Sequence, residues 1–195
     1  MIVMKKLLNL SLGIFLATAG ISGAYAAGGG GGGGGNGGNG GNKPQLHCKK
    51  GEVIKKIKVS GVLVKKCVKV QSGILPDEDL YQQGYVLAKS GEYDWALQVL
   101  AAVQNQNDPR VLNMTGYSNR KAGRLEIGIT YYRKALAIDP NFVLAREYLG
   151  EGYVAAGKLD LAKAELSEIA TRCGIACEEY KDLSKAITTG VIETD

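Results

Sequence analysis

Asp108–Pro140, DPRVLNMTGYSNRKAGRLEIGITYYRKALAIDP, is the stretch whose reading decides the fold. Gly116 and Gly123 stand seven residues apart, Gly128 follows five residues later, and Tyr132 four after that. Asp139-Pro140 closes the unit as Asp108-Pro109 closes the one before it. Reading outward in both directions, the same skeleton recurs. Gly84, Gly91, Ala96 and Leu100 precede it, and Gly150, Gly157, Ala162 and Leu166 follow it. The second glycine returns after 32 and then 34 residues, a period that marks stacked helical hairpins.

Each position has a physical reason. Gly84, Gly116 and Gly150 would let two helices of a hairpin approach closely, because no Cβ stands between them. Gly91, Gly123 and Gly157 fall where the first helix must end, a place for a left-handed residue. Small residues at 96, 128 and 162 suit the helix crossing, and the larger ones at 100, 132 and 166 fill the layer beside it. Proline then stops the second helix, since it lacks an amide donor and clashes with the preceding turn.

Together these residues resemble the tetratricopeptide repeat (TPR) family. In the central unit Leu112, Gly116, Gly123, Gly128, Tyr132, Ala135 and Pro140 stand at that family's signature positions. Leu149, Gly150, Tyr153, Gly157, Ala162 and Leu166 match in the third unit, and Leu80, Gly84, Gly91, Ala96 and Leu100 in the shorter first. Thr115, Gly128 and Ile169 depart from the family's usual leucine, alanine and alanine. The resemblance implies a mainly α fold, a helical-hairpin solenoid of about three repeats, over residues 77–190. The periodicity predicts helices at 77–90, 92–105, 109–122, 125–138, 142–156 and 159–172. Residues 178–187 carry leucine, alanine and isoleucine on one face and predict a capping helix, which such arrays need at an exposed apolar end.

The resemblance also implies a concave groove for a peptide or protein partner, lined by the first helix of each repeat. Carried over position by position, that surface takes Arg110, Asn113, Tyr117, Arg120 and Lys121 from the central unit. Tyr81, Tyr85 and Lys89 flank it on one side, and Glu147 and Glu151 on the other. The family's carboxylate-gripping set of lysine, asparagine and arginine over successive repeats is not reproduced here.

Upstream, the chain changes character near residues 71–76. Lys43, Lys49, Lys50, Lys55, Lys56, Lys58, Lys65, Lys66 and Lys69 face a single acid, Glu52. From Gln71 onward acids outnumber Lys and Arg. Val53, Ile57 and Val59 alternate with lysines, Ser60-Gly61 makes a turn, and Val62, Val64, Val68 and Val70 resume, which predicts a β-hairpin module over 43–72. Ile54 is out of phase with that alternation. Such a lysine comb suits an anionic surface, a wall or outer-membrane polymer, or simply a solvated face that protects a strand edge. Nucleic acid does not fit an exported chain lacking aromatic residues in this stretch. His47, the sole histidine, reads as an ordinary exposed residue.

The first residues supply the export signal. Lys5 and Lys6 precede an apolar run from Leu7 to Ala19, and Ala24-Tyr25-Ala26 makes a small-x-small site. That is a Sec-type bacterial signal peptide over 1–26, cleaved after Ala26, for a periplasmic or secreted product. No later segment is apolar enough to cross a membrane. Residues 27–42 are a glycine-asparagine linker. Its spaced glycines have no strand before them and no helix after them, so they form no dinucleotide site. In an exported chain Cys48 with Cys67 and Cys173 with Cys177 suggest disulfides. A four-cysteine zinc site lacks the tight C-x-x-C spacing, while a C-x-x-x-C redox switch is the alternative for the second pair.

Catalysis finds no support. With His47 set aside there is no general base, and Asp77-Glu78-Asp79 and Glu178-Glu179 fall where helix N-termini favour negative charge. The expectation is a binding protein, not an enzyme, without cofactor or metal.

Overall fold

The computed structural model describes residues 46–192. The expected signal peptide, the glycine linker and Lys43 lie outside the described residues. Among the described residues two strands come first, β1 (Glu52–Val59) and β2 (Val62–Lys69), and seven helices follow. These are α1 (Asp77–Lys89), α2 (Tyr93–Leu100), α3 (Pro109–Lys121), α4 (Leu125–Ile138), α5 (Val143–Ala155), α6 (Leu159–Cys173) and α7 (Glu178–Thr189).

The strands pair antiparallel from Val59↔Val62 back to Glu52↔Lys69. Ser60 and Gly61 both take positive φ, 48° and 84°, the geometry a two-residue hairpin turn needs to match strand twist. Ile54 lies opposite Cys67, on the face away from Val53, and the Cys48–Cys67 disulfide ties the base of the hairpin. Val53 is buried, and Val68 and Val70 pack into the same core as the repeat helices. The outward amide and carbonyl of Ile54 are both taken by the Gln83 side chain, at 2.6 and 3.0 Å. Trp95 Nε1 donates to the Glu52 carbonyl at 3.0 Å. The hairpin is thus seated on α1 and α2 by backbone bonds as well as apolar burial.

Within each repeat the chain reverses in the same way. Gly91, Gly123 and Gly157 have φ of 86°, 83° and 70°. The residue after each donates back across the turn, Glu92 to Leu87, Arg124 to Asn119 and Lys158 to Tyr153, at 2.8–2.9 Å. The glycine amides bond Ala88, Arg120 and Val154. This paired pattern closes a helix C-terminus around a left-handed residue.

Close approach is equally literal. A Cβ on Gly84 would stand 2.8 Å from Leu100, and one on Gly116 would stand 2.7 Å from the Tyr132 ring. On Gly128 it would meet the Gly116 carbonyl at 2.9 Å, which is why glycine replaces the usual alanine there. In the third repeat Gly150 lies against Leu183 of α7, so the cap helix fills the gap there. Leu183 and Ala186 are buried, and α7 packs on both α5 and α6. The Cys173–Cys177 disulfide joins the end of α6 to the residue preceding α7.

One helix boundary differs from the sequence expectation by more than two residues. Helix α2 stops at Leu100 rather than running to 105. Asp77, at the start of α1, accepts from the amides of Gln104 and Asn105 at 2.8 and 2.9 Å. The Gln106 side chain donates to the carbonyls of Leu100 and Val103. A carboxylate from another helix therefore holds these amides in a loop conformation. At α3 the local signals suffice: the Asp108 side chain accepts from the Arg110 amide at 2.8 Å, and Pro109 occupies the first turn.

Candidate functional site

The ten residues assigned to the inner face come from α1, α3 and α5, and they divide by burial. Asn113, Tyr117, Glu147 and Glu151 are buried, and the Arg120 side chain keeps 6% of its exposure. Tyr81, Tyr85, Lys89 and Lys121 are half-buried, and Arg110 is exposed.

Tyr117 sits at the centre of the buried group. Its ring centroid is 5.3 Å from that of Tyr148 and 6.4 Å from that of Tyr93. Lys89 Nζ lies 4.9 Å above the Tyr117 ring and donates to the Tyr148 hydroxyl at 3.3 Å. Lys121 Nζ approaches the same Tyr117 ring at 5.5 Å. Beneath this layer Arg120 bonds the Glu151 carboxylate at 2.6 Å and the Tyr132 hydroxyl at 3.2 Å. Burial pulls the Arg120 guanidinium down, but Tyr132 and Glu151 more than offset it, so its pKa stands above the ordinary arginine value. Burial pushes the Tyr132 phenol up.

Arg110 is also engaged within the chain. It pairs with Asp108 at 2.7 Å and Glu78 at 3.0 Å, and its guanidinium lies 4.7 Å from the Tyr81 ring centroid. The Arg110 bond holds the Asp108 carboxyl below its ordinary range. Both arginines read from the sequence as partner anchors are thus matched to carboxylates of their own chain.

What remains open is a cleft of about 230 Å³ between α1, α5 and α7, lined by Tyr85, Lys89, Leu144, Glu147, Tyr148, Glu178, Glu179 and Asp182. Its lining carries four carboxylates against one lysine, so its field favours a cation. Glu178, Glu179 and Asp182 were not among the inner-face residues expected from sequence, where the two glutamates served only a helix N-terminus. Their spacing puts them on one side of α7, and packing of that helix against α5 brings them to Glu147.

A second cavity, of about 470 Å³, opens at the seam between β1 and the first repeat. Its walls include Leu46, His47, Val86, Leu87 and Trp95. Beyond the seam stand the hairpin lysines. Lys49, Lys50, Lys56, Lys58, Lys65, Lys66 and Lys69 are exposed and Lys55 half-buried, with Lys55 opposite Lys66 and Lys56 opposite Lys65. Both cysteine pairs near Glu52 and Glu179 form disulfides, which leaves no thiolate for a zinc ion. Among the described residues no helix is long and apolar enough to cross a membrane.

Stacked glycine-hinged hairpins closed by a cap helix define a tetratricopeptide-type repeat array. Solved structures place the chain in that fold. One is the type III secretion chaperone SycD of Yersinia enterocolitica in complex with a peptide of the translocator YopD. It is 22% identical with a TM-score of 0.51, covering 60% of this chain and 92% of that one. The TPR domain of Sgt2 from Aspergillus fumigatus is 16% identical with a TM-score of 0.53, covering 61% and 83%. The first TPR of Spaghetti (RPAP3), bound to the HSP90 peptide SRMEEVD, is 16% identical with a TM-score of 0.51, covering 62% and 99%. No family model and no curated protein matches the chain.

Proposed function

We propose that this chain is an exported, non-catalytic binding module that holds a peptide or protein partner at its inner face, anchored by a basic side chain in the acidic cleft. The signal peptide carries it to the periplasm or beyond. The observation behind the reading is the cleft itself, lined by Glu147, Glu178, Glu179 and Asp182 together with Lys89, Tyr85 and Tyr148. At about 230 Å³ it is smaller than the roughly 300 Å³ of drug-sized pockets. It suits one long side chain, with the rest of the partner lying across α1 and α7. Peptide binding by SycD and by the RPAP3 domain supports the mode of action. The sign of the ligand is this chain's own: SRMEEVD carries three acids, whereas here Arg110 and Arg120 are paired within the chain and Glu178, Glu179 and Asp182 line the cleft.

Isothermal titration with lysine- and arginine-bearing peptides against the Glu178→Lys/Asp182→Lys variant tests the reading. Both side chains retain solvent exposure, so the fold should survive. A loss of roughly tenfold or more in affinity for basic peptides is expected, since like charge replaces opposite charge at contact. Equal affinity in both proteins would remove the cleft as the site.

The lysine comb supports a second reading, in which the hairpin holds the protein to an anionic surface of the cell envelope. Lys55↔Lys66 and Lys56↔Lys65 place like charges directly across the ladder, an arrangement that destabilises a bare hairpin. An anionic counter-surface would relieve it.

A further inference from the structure

The half of the hairpin beyond Lys55 and Lys66 is amphipathic. Strand alternation puts Ile57, Val59, Val62 and Val64 on one face. Of these Val59 is 51% exposed, Val62 64% and Val64 38%. Leu63, on the other face at the tip, is 70% exposed. Solvated lysines would explain protection of a strand edge, but they do not explain a bare apolar tip. Exposed apolar side chains gathered at one tip and rimmed by lysines are what an interaction site presents.

From this juxtaposition of an exposed apolar tip with the surrounding lysines, we propose that the hairpin tip inserts into the headgroup region of an anionic lipid bilayer. The proposal rests on the anionic-surface reading above and narrows it to lipid. Two observations select the occupant. The hairpin from Cys48 to Val70 carries eight lysines against Glu52, so a second copy of the same surface would be repelled. A polymer of anionic sugars or phosphates would satisfy the lysines and leave Val62 and Leu63 in water. A bilayer satisfies both sets: apolar side chains enter the acyl boundary while lysines reach lipid phosphates, their stems lying along the apolar surface. The base of the hairpin is built to hold such a tip in place, through the Cys48–Cys67 disulfide, the Gln83 clasp on Ile54 and the Trp95 bond to Glu52.

The test is flotation of the chain from Ala27 onward, which holds every described element but not the apolar leader. Vesicles of phosphatidylcholine with and without phosphatidylglycerol are compared, with soluble polyphosphate as a separate probe. Val62→Ser/Leu63→Ser and Lys56→Ser/Lys65→Ser are the variants, and Trp95 fluorescence reports whether the hairpin stays seated. Flotation only with phosphatidylglycerol, weakened roughly tenfold or more by either variant, supports insertion. Added salt should weaken it further. Equal flotation of the serine-tip variant would overturn insertion while leaving the anionic-surface reading intact. Polyphosphate binding without flotation would do the same in favour of a polymer. Binding to neither probe would sink both readings.

Discussion

Replacing Arg120 with alanine should be among the most damaging single changes in the chain. Its side chain keeps 6% of its exposure and that of Glu151 5%, with 2.6 Å between guanidinium nitrogen and carboxylate oxygen. Removing one member of a buried pair typically costs about 3–5 kcal/mol, because the partner charge stays buried. The fully buried Tyr132 would also lose the 3.2 Å bond it accepts from Arg120. A repeat domain of this size has roughly 5–15 kcal/mol of stability in total. At about 3 °C of melting temperature per kcal/mol, Arg120→Ala should melt roughly 10–15 °C lower. Urea unfolding followed by far-UV circular dichroism reads the loss directly. Two companions give it meaning. Asp94→Ala removes an exposed partner of Arg124, 3.0 Å away, and should cost about 0–1 kcal/mol. Arg120→Met with Glu151→Leu removes both charges at similar volume and should restore most of the stability. If Arg120→Ala costs no more than Asp94→Ala, Arg120 is solvated, the inner wall is open, and it returns as a candidate partner contact.

Three further outcomes are expected. Cys48→Ser/Cys67→Ser opens a loop of 19 residues' separation and should remove about 3 kcal/mol from the hairpin; amide exchange at Ile54 should accelerate while α4 stays protected. Leu183→Ala leaves a gap over Gly150 and should cost about 2–5 kcal/mol, with faster exchange in α5–α7 before α1–α3. Asp108, whose carboxyl Arg110 holds below its ordinary 3.8, contributes stability above that value that is lost as pH falls through the lowered one. Acid titration of Asp108→Asn should therefore show a flatter stability profile in that window than the parent.

The repeat architecture was legible because its glycines obey local geometry. Gly91, Gly123 and Gly157 must accept positive φ, and Gly84 and Gly116 must lack a Cβ where Leu100 and Tyr132 of the same hairpin press on them. Ser60-Gly61 announced its turn for the same reason. The early end of α2 was hidden because it depends on Asp77, 27 residues from Gln104 in sequence. Burial of the inner wall was hidden for a related reason. Positions 113, 117, 120, 147 and 151 have the same helical phase whether neighbouring first helices stand apart or touch. Only their packing decides whether Arg120 meets a partner or Glu151. The acids of α7 looked like helix-end charges until the cap helix was placed beside α5.

Helical repeats resemble a stack of identical tiles whose outer faces could in principle accept another tile. Here β1 lies over Gln83, Leu87 and Trp95 at one end, and α7 covers Gly150 at the other. Both terminal tiles are already covered. An added repeat would therefore have to enter between existing ones, at the α2–α3 or α4–α5 loop, where it would find a matching face above and below.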